Sequence, residues 1–290
     1  MVKTIYPLGH FYSPLVENDE VRKMADRIWP DAPAVLGIDL HDDNHERLLA
    51  DVFPKFASDF TYPATKADCL HSYDFYRDNS QYGNLDALAL FCMLRSLGPK
   101  NVIEIGCGFS TLLTGSVNHR FFNDAINVSC IEPYPLDFLQ QGVPGIAGLI
   151  QSKVEDVPVD TFSALDKGDI LFIDTSHVSK TGSDVNHIYF EILPRLKAGV
   201  IIHIHDIFLP EDYPKNWVID EGRGWNEQYL VRALLMYSSA FEVVFGCYYA
   251  YLKYPSLIKQ LFNGALYGGG SLWIKKTNGH ARTEKRSIHK

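Results

Sequence analysis

Short apolar runs separated by longer amphipathic stretches dominate the chain after residue 100. The runs predict strands at 101–105, 127–131, 148–151, 169–173, 200–205, 241–246 and 271–274, and helices within 110–121, 182–196 and 226–237. Strands that alternate with helices are typical of a parallel sheet covered on both faces. The last two strands lack a clear crossover helix between them, which favours antiparallel pairing. We therefore expect a doubly wound, seven-stranded, mostly parallel α/β sheet.

The first 80 residues, rich in proline, aspartate and aromatic residues, have a different pattern. One amphipathic helix is predicted within 45–56 and another within 81–97, where apolar residues recur at helical spacing before Pro99. We expect residues 1–80 to form a helical N-terminal extension or lid, and residues 81–276 to form the main domain. The basic stretch 277–290 is expected to be a disordered tail.

Composition narrows the class of protein. The chain has 290 residues, of which 46% are hydrophobic and 21% charged, as in an ordinary globular protein. Its net charge of −8 disfavours a nucleic-acid-binding surface. Five scattered cysteines without CxxC spacing indicate neither a disulfide framework nor a zinc site. Charges and a proline interrupt 241–262, the longest apolar region, so it cannot span a bilayer. We expect a cytoplasmic protein without nucleic-acid or membrane partners, and the sequence indicates no oligomeric state.

The stretch 101–111, NVIEIGCGFST, runs from a strand through a glycine turn into the start of a helix. Gly106 and Gly108 let the backbone approach a ligand that a Cβ atom would push away, and the first N–H groups of the helix face the same place. The third glycine of a dinucleotide-binding turn would fall at Thr111, so a pyrophosphate ligand is disfavoured. The corner is typical of nucleotide-binding α/β sheets.

Acidic residues surround this turn. Glu104 lies inside the strand, and Glu132 follows the next strand at 132 − 106 = 26 positions after Gly106, near the spacing of about 20 at which an acid reaches ribose hydroxyls. E-x-G-x-G followed by such an acid resembles motifs I and II of the class I S-adenosylmethionine (SAM) methyltransferases. The alternatives are another nucleoside ligand or a vestigial corner. The cofactor-binding residues that the resemblance implies are Glu104, Gly106, Gly108, Ser110, Thr111, Glu132 and Asp174, with Tyr82 and Asp86 from the preceding helix.

Two further strand ends carry titratable residues. Asp174 and His177 follow the fourth predicted strand, and the fifth ends in His205-Asp206. Ligands of doubly wound sheets bind beyond the carboxyl ends of the strands, so these side chains are expected in one crevice. An alcohol or phenol must lose its proton to accept a methyl group, and a pKa of about 6.5 suits histidine as the base. We predict His177 as the general base, with His205 and Asp206 as the other candidate catalytic residues. His203 and His205 share one face of their strand, so one of them is alternatively a packing residue.

Catalysis without a metal is expected, with one alternative. Asp174 and Asp206 at neighbouring strand ends resemble the carboxylates that hold magnesium in catechol-type O-methyltransferases. In those enzymes an asparagine follows the second aspartate, whereas Ile207 follows here, and one oxygen ligand is lost. A divalent metal at Asp174 and Asp206 is therefore the second hypothesis.

The segments 208–217 and 222–229 are dense in aromatic residues, proline and charge. Side chains of this kind line small-molecule pockets, and they equally pack a loop without touching a ligand. The candidate substrate-binding residues are Tyr213, Trp217, Trp225 and Tyr229. Glu211, Asp212 and Glu227 would suit a hydroxylated or amine-bearing acceptor.

Over nearly its whole length the chain resembles the methyltransferase-24 type of class I methyltransferases. The resemblance rests on FYSP, VIEIGCGFST, DTSH, LPRLKAGVIIHIHDIFLPEDYP and WNEQYL. It implies a Rossmann-like fold and SAM-dependent O-methylation of a small-molecule or sugar acceptor. The alternatives are other chemistry on this fold (metal-dependent catechol-type transfer, a hydroxylase-like reaction, aminopropyl transfer) and a non-catalytic SAM-binding protein.

Overall fold

A computed structural model describes residues 5–279 of the chain. The strands are β1 (Asn101–Ile105), β2 (Asn127–Ile131), β3 (Gly148–Ile150), β4 (Ile170–Ile173), β5 (Ile201–Ile204), β6 (Phe241–Gly246) and β7 (Leu272–Lys276). The α-helices are α1 (Asn18–Lys23), α2 (Ala25–Ile28), α3 (Asp42–Arg47), α4 (Pro54–Ala57), α5 (Asn84–Leu97), α6 (Phe109–Phe122), α7 (Asp137–Gln140), α8 (Asp160–Ser163), α9 (Asp184–His187), α10 (Lys215–Ile219), α11 (Glu227–Tyr237), α12 (Cys247–Lys253) and α13 (Pro255–Leu261). Short π-helices span Leu48–Val52 and Ile188–Ile192, and 3-10 turns span Lys66–Asp68, Val154–Asp156 and Leu193–Arg195.

The seven strands form one sheet in the order β3-β2-β1-β4-β5-β7-β6. Strands β1 to β5 pair in parallel, whereas β7 runs antiparallel to both of its neighbours, β5 and β6. The predicted doubly wound, mostly parallel α/β fold is thus confirmed. Each predicted strand agrees with the observed one to within two residues at either end.

Alternating side chains of the central strands divide the core between the two faces of the sheet. Ile170 and Phe172 of β4 join a cluster with α5 and α6, while Leu171 and Ile173 join a cluster with residues 185–196 and α11. The strands are buried on both faces, which explains why they read as continuous apolar runs in the sequence.

The connection between β6 and β7 differs from the sequence prediction. Two seven-residue helices, α12 and α13, fill a region where no helix was predicted. Ala250 and Ile258 bury one side of this helical pair in the α5 cluster, and Pro255 begins α13 at a position where proline costs no hydrogen bond. β7 nevertheless pairs antiparallel with β6, as the sequence predicts.

The N-terminal segment is built into the same core. Leu48, Leu49 and Phe53 are buried in the α5 cluster, and His45 Nε2 accepts a 2.7 Å hydrogen bond from the backbone N–H of Gly246. The core therefore continues across the predicted boundary at residue 80. Most of the predicted disordered tail, 280–290, lies outside the described residues. No helix in residues 5–279 is both long enough and apolar enough to cross a membrane.

Candidate active site

The glycine turn after β1 brings two strand ends into close contact. Gly106 has a φ of +80°, and a Cβ atom on it would lie 1.6 Å from the carbonyl oxygen of Asp174. Only glycine fits there, because any side chain would push β1 and β4 apart. Thr111 Oγ1 accepts a 3.0 Å hydrogen bond from Gly108 N and so fixes the first turn of α6.

Glu104 lies beneath this turn and is fully buried. Its Oε1 accepts a 2.5 Å hydrogen bond from Ser110 Oγ, while its Oε2 has no partner among the described residues. Burial raises the pKa of Glu104 to about 8. In the absence of ligand, Glu104 and Ser110 therefore support the turn from below, and the unpaired oxygen is a potential hydrogen-bond partner for a bound group.

Glu132 stands beside the turn at the end of β2. Its Oε2 accepts from Cys107 N at 3.1 Å, and its Oε1 accepts from Tyr134 N at 2.8 Å. The cleft next to it has a volume of about 320 Å³ and is lined by Gly106, by apolar side chains such as Ile131 and Val154, and by the polar side chains of Glu132, Lys153, Glu155, Asp174, Thr175, Ser176 and Asp184. Small-ligand pockets combine apolar surface with fixed polar groups in this way.

The strand ends next to the cleft hold a cluster of acids and imidazoles. His177 Nε2 lies 3.3 Å from Asp174 Oδ1 and 3.5 Å from Asp206 Oδ2. His205 Nδ1 lies 3.6 Å from the Oδ2 atoms of both Asp174 and Asp206. The structure therefore places His177, His205, Asp174 and Asp206 in one crevice, as the sequence predicts.

The second nitrogen of His177 has a partner for which we predicted another role. Nδ1 lies 3.0 Å from Oε2 of Glu227, and Tyr189 Oη donates to Oε1 of the same carboxyl group at 3.0 Å. We assigned Glu227 to acceptor binding, but it is fully buried at the first turn of α11. Its position 50 residues after His177 carries no sequence signal for this contact.

These contacts shift the proton affinities of the cluster. Burial alone would lower the pKa of His177, but hydrogen bonds with Asp174 and Glu227 outweigh it and raise the pKa to about 10. Burial would also lower the pKa of His205, which the charges of Asp206 and Asp174 nevertheless raise well above its usual value. The acids of the crevice therefore favour the protonated form of both imidazoles, unlike the ordinary histidine that the sequence suggests.

His203 is a packing residue, one of the two roles expected for the histidines of β5. Its ring stacks on Phe172 at 3.8 Å, and its Nε2 lies 2.9 Å from Ser271 Oγ and 3.4 Å from Tyr82 Oη. Burial lowers the pKa of His203 to about 3, so the ring is neutral.

Two of the predicted cofactor residues lie on the α5 side of the cluster. The carboxylate of Asp86 accepts hydrogen bonds from Gly270 N at 2.9 Å and Ser271 N at 2.8 Å. The ring of Tyr82 is buried. Both side chains thus have protein partners already, and their contact with a cofactor stays a prediction.

Two groups of described side chains have the geometry to hold a metal ion: Glu104, Cys107 and Cys130 beneath the glycine turn, and a second group in the crevice. Ligand atoms of Asp174, His177 and Asp206 all lie within 4.8 Å of one another. Carboxylate oxygens and an imidazole nitrogen form a donor set that accepts divalent first-row metals. The crevice therefore fits a divalent cation with His177 as an additional ligand, beyond the two aspartates that we considered from the sequence.

The aromatic candidates for substrate binding do not lie equally near the crevice. The ring of Trp225 lies 4.4 Å from that of His177, and Trp217 packs against Trp225 at 5.3 Å. Tyr213 is buried, and its hydroxyl accepts from Gln228 N at 2.9 Å. Tyr229 is half exposed and donates to Asp212, so it lies at the outer edge of the aromatic group.

Known proteins resemble the chain both in sequence and in fold. The sequence model of the Methyltransf_24 family, described as a methyltransferase domain, matches residues 103–207. An uncharacterized protein of Archaeoglobus fulgidus is 37% identical over 170 residues, which cover 57% of this chain and 76% of that protein.

Among solved structures, a DUF574 family protein from Streptomyces avermitilis gives a TM-score of 0.45 at 13% identity, covering 66% of this chain and 80% of its own. The plantazolicin methyltransferase BpumL, solved in complex with SAH, gives 0.41 at 10% identity and covers 90% and 98%. An O-methyltransferase from Bacillus cereus, also in complex with SAH, gives 0.38 at 14% identity and covers 90% and 98%.

The family model spans the glycine turn, Glu132, and the strand ends that carry Asp174, His177 and Asp206. The sheet around these residues ends in the antiparallel strand pair that the sequence predicts. The chain therefore belongs to the class I SAM-dependent methyltransferases, within the family that this methyltransferase domain defines.

Proposed function

We propose that this methyltransferase transfers the methyl group of SAM to a hydroxyl oxygen of a small molecule or sugar, with His177 as the general base. The main support for the proposal is the position of His177 Nε2. It lies between Asp174 and Asp206 at the carboxyl ends of β4 and β5, and Asp174 also lines the cleft beside Gly106. The base and the cofactor cleft thus share one side chain.

The charge of the site suits a cationic cofactor. Asp86, Asp174, Asp206 and Glu227 surround only two imidazoles, those of His177 and His205. In the described residues, neither lysine nor arginine forms a salt bridge with these acids. An excess of carboxyl groups in a partly buried site attracts positive charge. The sulfonium and ammonium groups of SAM supply that charge, and Glu132 is the acid beside the turn that would hold the ribose hydroxyls.

His177 has one task in this reaction. SAM, when bound, supplies a methyl group activated by its positive sulfur. His177 must be neutral to accept the acceptor's hydroxyl proton at Nε2, so positive charge that enters the crevice favours its loss of a proton. The ring of Trp225 packs against the imidazole and covers one side of it. Holding both reactants in place can lower the activation barrier by on the order of 7–11 kcal/mol. The proton transfer is then the main chemical step that a side chain must assist.

Substitution of the base tests the proposal. Methyl-labelled SAM and a panel of sugars and phenols provide the assay. His177→Ala should lower turnover by about 10²–10⁴-fold while SAM affinity, measured by calorimetry, stays nearly constant. His119→Ala, on the exposed end of α6, is the control. Wild-type turnover in His177→Ala, or its complete loss in His205→Ala alone, would move the base to β5. A wild-type protein that binds SAM but methylates no acceptor would instead favour a non-catalytic binding protein.

A metal-dependent reaction is the second candidate, and the group of Asp174, His177 and Asp206 favours it. A divalent cation there would orient two neighbouring hydroxyl groups of the acceptor and lower their pKa. Dialysis against a chelator tests this. Unchanged turnover would support catalysis by His177 alone. Loss of turnover that magnesium or manganese restores would establish the metal-dependent reaction.

A further inference from the structure

Glu227 is a buried carboxyl group that the reaction described above does not use. It begins α11, its side chain is fully buried, and each of its oxygens lies within hydrogen-bond distance of a buried side chain. Oε2 faces His177 Nδ1 and Oε1 accepts from Tyr189 Oη, each at 3.0 Å. Removing a carboxylate from water is unfavourable, and such hydrogen bonds offset that cost only in part. An apolar residue of similar size would avoid the cost, so the contact with His177 is the feature of Glu227 that calls for an explanation.

The same stretch of chain also holds the backbone of His177. The N–H groups of Asn226 and Glu227 both donate to the carbonyl oxygen of His177, at 2.9 Å and 3.1 Å. His177 has a φ of +57°, a left-handed conformation that is unfavourable for a residue with a side chain. Trp225, one residue earlier, packs against the imidazole. Residues 225–227 therefore contact the main chain, the ring face and Nδ1 of His177.

We propose that Glu227 is the positioning residue of His177, a role that rests on the proposed function of His177 as the base. By accepting from Nδ1, Glu227 keeps the proton on that nitrogen and presents Nε2 to Asp174 and Asp206 in the crevice. Tyr189 holds the carboxylate in this orientation from its other side. Residues 225–227 belong to the segment 208–229, which follows β5 and carries the candidate substrate-binding aromatic residues. Their contacts with His177 therefore fix the proposed base to the segment that would contact the acceptor.

The first test observes the histidine itself and needs no acceptor. Uniform ¹⁵N labelling of histidine allows NMR to detect the Nδ1 proton of His177, assigned by its absence in His177→Ala. The wild type should show a strongly hydrogen-bonded, downfield-shifted Nδ1–H. This signal should weaken in Tyr189→Phe and disappear or move upfield in Glu227→Ala. A signal unchanged in Glu227→Ala would overturn the proposal.

The second test asks whether Glu227 acts through His177. Glu227→Gln should lower kcat by about 10–100-fold, the usual effect of losing a partner that orients an imidazole, while acceptor KM and SAM affinity change little. In a His177→Ala background the same substitution should have no further effect on kcat. An equal loss of kcat in both backgrounds, or a loss of SAM affinity that accounts for the whole effect, would overturn the proposal.

The outcomes separate this proposal from the function on which it rests. If His177→Ala keeps wild-type turnover, the proposed base is wrong and the positioning role fails with it. If His177→Ala is impaired but Glu227→Gln has wild-type turnover, only the positioning role fails. Tyr189→Phe, which leaves the carboxylate in place, provides the kinetic comparison if Glu227→Gln does not fold, and a wild-type kcat in it would then count against the proposal.

Discussion

At the scale of single residues, the imidazole of His177 lies between carboxyl groups on both of its nitrogens. Its pKa is raised to about 10, above the value of about 6.5 expected in the unfolded chain. The contribution of the His177 proton to the free energy of unfolding is therefore complete below about pH 6.5 and is lost as the pH rises towards about 10.

This pH dependence can be measured by urea unfolding with a chelator present. We expect the difference in unfolding free energy between the wild type and His177→Gln to shrink across this range. A difference independent of pH would contradict the shift.

This pKa also corrects an expectation from the sequence. An ordinary histidine predicts a rate that rises with pH through about 6.5. In the folded protein the neighbouring acids raise the pKa of His177. Because kcat/KM reports the ionisations of the enzyme before it binds substrate, we expect kcat/KM to continue to rise well above neutral pH.

Glu132 is the residue whose cofactor role is simplest to measure. Glu132→Ala should weaken SAM binding by about 1.5–3 kcal/mol, the contribution of a hydrogen bond to a charged group. Calorimetry is the measurement, and Glu46→Ala, at an exposed position of α3 outside the cleft, is the control. Unchanged affinity in a folded Glu132→Ala protein would remove this residue from the site.

Gly106 tests how closely two strand ends must approach. Gly106→Ala would place Cβ 1.6 Å from the carbonyl oxygen of Asp174, at a φ of +80°. Gly182→Ala is a matched control, because Gly182 has a φ of +72° and no atom within 4 Å of its hypothetical Cβ. We expect Gly182→Ala to cost about 1–2 kcal/mol of unfolding free energy and Gly106→Ala to cost more and to abolish SAM binding. Equal losses in the two variants would show that the contact with Asp174 relaxes easily.

At the scale of elements, Asp86 connects the start of α5 to the entry of β7. Its carboxylate accepts hydrogen bonds from the backbone N–H groups of Gly270 and Ser271, and its Oδ2 lies 3.7 Å from His205 Nε2. Asp86→Asn should lower the free energy of unfolding by about 1–3 kcal/mol, because one backbone donor loses its acceptor. SAM affinity should change little if this connection is the main role of Asp86. A large loss of affinity with normal stability would instead support the cofactor contact predicted from the sequence.

The elements differ in how well the sequence predicts them. The sequence predicts the central strands β1, β4 and β5 well because burial on both faces leaves a nearly continuous apolar run between turn residues. The predicted helix within 182–196 is divided, since a π-helix at Ile188–Ile192 and a 3-10 turn at Leu193–Arg195 follow α9. The helices α12 and α13 were missed because each has only about two turns, and their amphipathic pattern is interrupted at Lys253 and Pro255.

The site was predictable only where the fold alone determines proximity. Asp174, His177, His205 and Asp206 follow parallel neighbouring strands, so the topology brings them together. The contact of Glu227 with His177 depends on where α11 begins after an irregular loop, and no periodic pattern encodes that. The burial of Glu104 likewise became evident only from packing beneath the turn.

At the scale of the whole molecule, the N-terminal segment packs on the loop that follows β5. Trp29 Nε1 donates to the carbonyl oxygen of Tyr213, and Asn18 Nδ2 donates to that of Ile219, both at 2.9 Å. Trp29→Phe removes the first of these hydrogen bonds, a loss of about 1 kcal/mol. We expect a several-fold higher KM for the acceptor with unchanged SAM affinity, and Tyr237→Phe, on an exposed surface, should leave both unchanged. Equal weakening of SAM binding would show that the segment supports the whole sheet.

The place of β7 has a consequence for how a nascent chain acquires this fold. β6 joins the sheet only through β7, and β7 lies between β6 and β5, although it follows both in sequence. While the ribosome is still synthesising residues 272–276, β5 is an unprotected edge and β6 has no partner strand. Exposed edges of this kind invite pairing with other chains. β7 therefore closes the sheet, and until it emerges the edge of β5 is available for pairing with another chain.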